Sequence, residues 1–205
     1  MCLLGGGGHA LVVYESAVAA GWRVDGFFDD DASAGLSAYA SRLGGLSDLL
    51  DGSAAPPAPA LLAVGSISLR KRVLDALADR AEWVTVVHPS ATISPLALLG
   101  HGGWVGPNAV VNGRTRMGEH ALVNSSAVVE HDCRVGDNVH LAPRCVLGGR
   151  VTIGSDTLVG IGATVLPGAE IGSGAIVGGG AVVTRSVDDH ATAIGVPART
   201  VRRAT

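Results

Sequence analysis

The second half of the chain repeats an aliphatic residue every six positions. Sixteen consecutive repeats, from Ile93 to Val183, carry Val, Leu, Ile or Met at this place without an insertion. Four places later in each repeat stands a small residue or Val. A strict six-residue period with one large and one small inward side chain is typical of a β-solenoid. Three repeats make one triangular coil, so sixteen repeats predict about five coils.

Four prolines occupy a second fixed place in the repeat. Each proline stands two places after the aliphatic residue, at Pro95, Pro107, Pro143 and Pro167. Proline cannot donate to a strand ladder, so this place is predicted to lie near a corner of the coil. His131 has the same place in its own repeat. Its side chain is therefore expected to point out of the coil, whereas Cys133 and Cys145, at the small inward place, are expected to pack in the core.

The first 87 residues follow a different pattern, in which apolar strands alternate with helices. Strands are predicted over residues 2–4, 22–28, 60–66 and 83–87, and helices over residues 10–20 and 69–80. Prolines within residues 51–59 predict a loop. Alternating strands and helices predict a small parallel sheet flanked by helices. The chain is thus expected to join an α/β domain to an all-β solenoid.

Composition argues against several classes of protein. The 15 Lys and Arg residues and the net charge of −3 provide no basic surface for nucleic acid. Hydrophobic residues reach 47%, yet no apolar run approaches the roughly 20 residues that span a membrane. The glycine-split start lacks the cationic region of a signal peptide. Three cysteines without a CxxC pair argue against a disulfide framework or a thiolate metal cluster. A cytoplasmic protein that binds neither nucleic acid nor membrane is expected.

The loop GGGGHA, residues 5–10, lies between the first predicted strand and the first predicted helix. In that context its backbone N–H groups and the helix N-terminus can cradle a phosphate. The acidic run at residues 29–31 ends the next strand, where Rossmann-like folds place a ribose-binding carboxylate. A plain tight turn is the alternative for the loop. The α/β unit has about half the length of a dinucleotide fold, so a mononucleotide diphosphate fits it better than NAD.

The segment VNSSAVVEHDCRVGDNVHLAP, residues 123–143, places two histidines in an otherwise apolar repeat. His131 and His140 are nine residues apart, which is half a coil, so they lie on different faces and a shared zinc site is disfavoured. Solvated surface histidines are one interpretation. A general base is the other, because Asp132 beside His131 would fix its tautomer and raise its basicity. A base that titrates near neutrality can take the proton that a nucleophile such as an amine must lose.

Six stretches of the sequence resemble one family of enzymes. They are GGGGHA, FFDDD, LLAVGSISLRKRV, HPSATISPLALLG, the segment 123–143 and AIGVPAR. These stretches are similar to the nucleotide-linked amino-sugar N-acetyltransferases and sialic acid O-acetyltransferases, which belong to the hexapeptide-repeat acyltransferases. The resemblance covers nearly the whole chain and is most specific around His131. It implies a Rossmann-like nucleotide-sugar-binding domain over residues 1–87. A left-handed parallel β-helix with a C-terminal coenzyme A loop follows over residues 88–205.

The resemblance also implies an activity. Acetyl-CoA would be the co-substrate, and no metal would take part. The acceptor would be the 4-amino group of a UDP-, GDP- or dTDP-linked deoxy-amino sugar used for bacterial surface glycans. The family implies a homotrimer with active sites between subunits. An O-acetyltransferase acting on sialic acid and a non-catalytic nucleotide-sugar-binding protein are the alternatives.

By the same resemblance, His131 is the general base and Asp132 the acid that raises its basicity. Many relatives have Glu there, so Asp shortens the reach. The nucleotide sugar is expected to contact Gly7, Gly8, His9, Asp29, Asp30 and Gly65. Acetyl-CoA is expected to contact His140, Gly149, Ile161, Gly179 and Arg199. The N–H of Gly149, one coil beyond His131, could polarise the thioester carbonyl. The alternatives are a helix-start residue for His9, a surface histidine for His140, a corner glycine for Gly149 and a solvated side chain for Arg199.

Overall fold

The computed structural model describes residues 1–77 and 80–201. Its N-terminal part is a parallel sheet of four strands in the order β3-β2-β1-β4, the order of the first half of a Rossmann fold. In chain order its elements are β1 (Cys2–Leu4), α1 (Gly8–Ala19), β2 (Gly26–Phe28), a 3₁₀ turn (Gly35–Ala38), β3 (Arg42–Gly44), α2 (Leu46–Leu50), β4 (Ala60–Leu62) and α3 (Ile67–Leu77). The parallel sheet with flanking helices agrees with the prediction.

The strand predicted at residues 83–87 is confined to Val86–Val87 and belongs to another sheet. Trp83 forms an isolated parallel bridge to Ala60, whereas Val86 and Val87 pair with the solenoid strand Trp104–Val105. The fourth strand of the sheet is instead β3. Two of its three residues are exposed, so its sequence has no apolar pattern that would predict a strand.

Several other element boundaries differ from the prediction. The strands predicted at 22–28 and 60–66 are confined to three residues each, and residues 78–79 of the predicted helix 69–80 lie outside the described residues. Residues 202–205 of the predicted second domain also lie outside them. The domain boundary at residue 87 stays a proposal.

The rest of the chain winds into a parallel β-helix with three faces. The eight-stranded face holds β5 (Val86–Val87), β8 (Trp104–Val105), β11 (Leu122–Val123), β14 (His140–Leu141), β17 (Leu158–Val159), β20 (Ile176–Val177), β22 (Thr192–Ile194) and the antiparallel β23 (Arg199–Val201). The six-stranded face holds β6 (Thr92–Ile93), β9 (Val110–Val111), β12 (Val128–Val129), β15 (Val146–Leu147), β18 (Thr164–Val165) and β21 (Val182–Val183). The five-stranded face holds β7 (Leu98–Leu99), β10 (Arg116–Met117), β13 (Arg134–Val135), β16 (Thr152–Ile153) and β19 (Glu170–Ile171). Sixteen of these strands end at the sixteen predicted aliphatic positions, which confirms the repeat.

The predicted corners are also confirmed. All four prolines lie in the two-residue turns that join one face to the next. The second residue of many turns has a left-handed backbone, as at Asp132 with φ 61° and Arg150 with φ 62°. Inside, the aliphatic and small positions form one continuous apolar core. Cys133 and Cys145 belong to that core, as predicted.

The N-terminal domain packs on the outside of the eight-stranded face. Outward residues of that face, Val86, Trp104 and Leu122, share an apolar cluster with Ala10, Val13 and Ala17 of α1. The helix α3 contributes a buried stripe of Arg70, Val73 and Leu77 at helical spacing. No helix among the described residues is long and apolar enough to cross a membrane. The cytoplasmic location stays a prediction.

Candidate active site

His131 and Asp132 form the corner between the six-stranded and five-stranded faces. The strand β12 ends at Val129, so the next turn carries both side chains out of the coil. The His131 side chain is 51% exposed, and its Nδ1 lies 2.8 Å from Oδ2 of Asp132. A carboxylate on Nδ1 fixes the imidazole tautomer and leaves Nε2 as the proton acceptor. The structure thus brings together the two residues predicted to carry the chemistry.

A third residue at this corner, Arg114, contacts Asp132, and the sequence pattern did not predict it. Arg114 donates to both oxygens of Asp132, with 2.5 Å from Nε to Oδ1 and 2.8 Å from Nη2 to Oδ2. These bonds, and the bond from His131, hold the pKa of Asp132 well below its usual range. Asp132 is therefore ionised near neutral pH. A residue 18 positions before Asp132 lies one coil below it, so the repeat itself was a signal for Arg114.

Gly149 lies directly against the imidazole. A Cβ built on Gly149 would fall 2.7 Å from Cε1 and 2.8 Å from Nε2 of His131. Within the described residues its N–H donates no hydrogen bond, as expected at the place in the repeat where proline also occurs. The position therefore offers a free donor beside the base, and a side chain there would collide with it.

The glycine loop opens onto a cleft of about 330 Å³ at the carboxyl ends of β1 and β4. Its lining includes all six residues predicted to contact the nucleotide sugar: Gly7, Gly8, His9, Asp29, Asp30 and Gly65. Gly5 has φ 121°, and a Cβ there would fall 2.6 Å from the Ala63 carbonyl oxygen. Nothing lies within 4 Å of a Cβ at Gly7 or Gly8. The first glycine thus permits the close turn, and the later ones expose backbone to the cleft.

The two aspartates of the cleft have different hydrogen-bond partners. Both oxygens of Asp29 accept backbone N–H groups, from Gly6 at 2.7 Å and from Asp31 at 2.9 Å. Asp30 accepts from the N–H and hydroxyl of Ser47 through Oδ1 alone. These bonds lower the pKa of Asp30. Asp29 therefore braces the glycine loop, whereas Oδ2 of Asp30 is available to a ligand within the described part of the chain.

His140 is buried, so the alternative of a surface histidine is wrong. Only 9% of the residue is exposed. Its Nε2 lies 3.1 Å from Nδ2 of Asn124, and its Nδ1 lies 3.3 Å from the carbonyl oxygen of Gly65. The docking of the N-terminal domain on the eight-stranded face covers it, a contact that the repeat pattern does not contain. His140 thus lies behind the nucleotide cleft, on a different face from His131.

His140 belongs to a group of buried and half-buried imidazoles between the two domains. The interface histidines are His9, His120 and His140. Burial, with the charge of Arg70 contributing, lowers the pKa of each to about 4. They are therefore neutral near pH 7. His9 is the second residue of α1, and its ring lies 5.9 Å from the ring of His140 between centroids.

Arg70 anchors this interface from α3. The residue is fully buried and donates from Nε to Oδ1 of Asn138 at 2.7 Å and from Nη2 to the carbonyl oxygen of His120. Burial lowers its pKa to about 9, so the guanidinium stays charged at neutral pH. Asp156, hydrogen-bonded to Asn138, supplies the nearby negative charge. The polar contacts fix the domain that holds the cleft on the solenoid that holds the base.

The other residues expected to contact acetyl-CoA lie elsewhere. Ile161, 64% exposed, and Gly179 occupy successive turns of the corner between the eight-stranded and six-stranded faces. Arg199 is exposed in β23 and lines a recess at the end of the solenoid with Arg185. Only Gly149 of this set shares a corner with His131. Among the described residues, no three His, Cys, Asp or Glu side chains are grouped to hold a metal ion.

Two family models match the chain, one on each part of the fold. Residues 1–77 match the PglD N-terminal domain. Residues 114–149 and 150–185 match the bacterial transferase hexapeptide model, which has six repeats. The first match covers the sheet and the glycine cleft, and the second covers the coils that carry His131 and Gly149. Together they define a hexapeptide-repeat transferase with a PglD-like N-terminal domain.

Solved structures and a curated relative agree with these matches. A histidine-to-asparagine variant of perosamine N-acetyltransferase from Caulobacter crescentus, in complex with CoA and GDP-perosamine, is 35% identical, with 98% of this chain and 96% of that chain covered and a TM-score of 0.88. The acetyltransferase domain of PglB from Neisseria gonorrhoeae, in complex with acetyl coenzyme A, is 32% identical over 98% of each chain, with a TM-score of 0.88. GDP-perosamine N-acetyltransferase of Escherichia coli O157:H7 is 30% identical over 91 residues, which are 44% of this chain and 41% of that protein.

The chain belongs to the hexapeptide-repeat nucleotide-sugar acetyltransferases. This confirms the family, the enzyme class and the two-part fold with a parallel β-helix that the sequence predicted. The CoA and acetyl-CoA in the solved relatives agree with the expected co-substrate. The roles of individual site residues stay predictions.

Proposed function

We propose that this protein transfers the acetyl group of acetyl-CoA to the 4-amino group of a GDP-linked deoxy-amino sugar. The observation that carries the proposal is the exposed corner at which Asp132 orients His131 and the free N–H of Gly149 adjoins the imidazole. Two relatives named for a GDP-linked amino sugar, GDP-perosamine, support the choice of acceptor. We propose that the acetylated sugar is used for bacterial surface glycans, as the sequence resemblance implies.

The proposed chemistry is direct attack on the thioester. The amine nitrogen forms a bond to the acetyl carbon, and Nε2 of His131 accepts the proton that the nitrogen loses. Charge that develops on the thioester oxygen meets the N–H of Gly149. The carbon–sulfur bond then breaks, and the proton on His131 passes to the leaving sulfur. No covalent enzyme intermediate is required, because two substrates held together gain most of the rate from proximity.

The cleft of the N-terminal domain is the proposed site of the nucleotide. The exposed backbone at Gly7 and Gly8 and the uncapped N-terminus of α1 suit a diphosphate. Asp30, with one free oxygen, is the better candidate for the nucleoside, and we assign Asp29 the support of the glycine loop. The free Oδ2 of Asp30 can accept one charge-assisted hydrogen bond from an N–H of guanine. Gly65 and His9 line the same cleft.

The proposed acetyl-CoA contacts favour a homotrimer. Within one chain His131 and Gly149 lie at one corner of the solenoid, whereas Ile161 and Gly179 lie at another. One coenzyme arm can meet both sets if the corner of one subunit faces the other corner of a neighbour. We therefore place each active site between two subunits, with Arg199 near the coenzyme phosphates. His140 lies at neither corner, because it is buried behind the nucleotide cleft. Its contact with acetyl-CoA stays a prediction.

The deciding experiment measures thiol release from acetyl-CoA with GDP-perosamine as acceptor. His131→Ala should lower kcat/KM by about 10²–10⁴-fold, the usual contribution of a general base. His101→Ala is the matched control, since His101 is also an exposed histidine at a corner of the solenoid. Near-normal turnover by His131→Ala would refute the role of the base. Activity on sialic acid but not on nucleotide amino sugars would support the O-acetyltransferase, and no thiol release with any acceptor would support a binding protein.

A further inference from the structure

The turn below the base is built to hold the carboxylate that orients it. The N–H of Asp132 donates to the carbonyl oxygen of Gly113 at 3.0 Å, so the two turns stack directly. Arg114, the next residue, presents its guanidinium fork to both oxygens of Asp132. Oδ2 of Asp132 thus accepts from Arg114 and lies in hydrogen-bond contact with His131. A planar fork matched to a carboxylate fixes its direction, which a single point charge does not.

Exposure makes this contact more relevant to orientation than to stability. The Arg114 side chain is 66% exposed and that of Asp132 is 30% exposed. Surface ion pairs of this kind contribute little to folding. Without the fork, however, the short Asp132 side chain would be free to change rotamer at a solvated corner. The hydrogen bond that sets the tautomer and direction of His131 would then form only part of the time.

The other contacts at this corner do not replace the fork. Glu130 approaches the His131 backbone N–H at 3.4 Å through Oε2. Arg150, one coil above, donates its backbone N–H to the His131 carbonyl oxygen. Among the described ion pairs, Arg114 is the arginine that holds Asp132.

We propose that Arg114 is a positioning residue for acetyl transfer, which holds Asp132 against Nδ1 of His131. This role rests on the proposed function, because it acts through the proton that His131 accepts. It concerns a residue that touches neither substrate. Its effect should therefore fall on kcat rather than on KM.

The experiment compares Arg114→Met, Arg114→Lys and the control Arg116→Met. Arg116 is an exposed arginine on the same coil, without an acidic partner among the described ion pairs. Arg114→Met should lower kcat about tenfold, the cost of a modest misalignment of a catalytic group, with both KM values within about twofold. Arg114→Lys keeps the charge but loses the planar fork, so its kcat should also fall.

The outcomes separate the two proposals. An Arg114→Met variant whose kcat matches that of Arg116→Met overturns the positioning role, provided that His131→Ala has lost activity. A wild-type enzyme without acetyl transfer overturns the proposed function, and an active His131→Ala overturns the role of the base. Either result removes the positioning role with it. Thermal unfolding of each variant identifies any loss of folding. If Arg114→Met is unstable, an Arg114→Lys variant with wild-type kcat overturns the role by itself.

Discussion

Replacement of Gly149 by alanine should inactivate the enzyme without unfolding it. The new Cβ would fall 2.7 Å from Cε1 of His131, whereas carbon atoms in contact prefer about 3.5 Å or more. The ring must therefore retreat by about 0.8 Å. The same Cβ would lie 3.3 Å from Nδ1, so the movement disturbs the 2.8 Å contact with Asp132. A shift of about 1 Å at a catalytic group costs roughly 10²-fold in rate.

The backbone of Gly149 accepts an alanine, which separates the two effects. Its φ is not in the left-handed region, and a compatible Gly→Ala change stabilises by about 0.4–1 kcal/mol through the unfolded state. We expect kcat to fall about 10²-fold in the thiol-release assay while the Tm is unchanged or higher. Gly113→Ala is the control at the same corner, because its Cβ has only ordinary contacts, 3.4 Å or longer. Wild-type turnover by Gly149→Ala would refute the packing of the base against this glycine.

Three further predictions concern the cleft and the interface. Asp30→Asn should weaken GDP binding about tenfold or more in calorimetry, which is the scale of one charge-assisted hydrogen bond. Asp29→Asn should lower the Tm more than Asp30→Asn does. The reverse pattern would contradict the roles assigned to the two aspartates. Trp104→Ala should lower the free energy of unfolding by about 3–5 kcal/mol in guanidinium titrations, whereas exposed Leu98→Ala should change it by about 0.5 kcal/mol or less. The interface histidines have a folded pKa of about 4, below the unfolded value of about 6.5. The unfolded state thus binds more protons than the folded state between these two pH values. The histidines' contribution to the free energy of unfolding is therefore full above pH 6.5 and falls by up to about 1.4 kcal/mol per pH unit for each histidine as the pH drops toward 4. An equal free energy of unfolding at pH 7 and pH 5 would show that the histidines are not held neutral in the fold.

The order of the two domains and the path of the solenoid could be predicted from the sequence. A coil of three six-residue repeats pairs each residue with the one 18 positions later, as Leu122 pairs with His140. Period alone therefore sets which side chains point inward and which stand at corners. The place of His131 at a corner, next to an acid, followed from the same local rule. The glycine loop and the residues that line the cleft were also local features, since each follows a short strand.

Contacts between elements far apart in the sequence were decided by the tertiary structure. The repeat does not reveal that the N-terminal domain covers the eight-stranded face, so it could not predict that His140 is buried against Gly65. Apolar outward residues at Val86, Trp104 and Leu122, spaced by 18, were the available signal. The strand β3 had no apolar pattern to detect. The fork of Arg114 on Asp132 depends on side-chain rotamers in two stacked coils. Periodicity specifies the direction of a backbone position, whereas the partners of a long polar side chain depend on what the folded chain places within its reach.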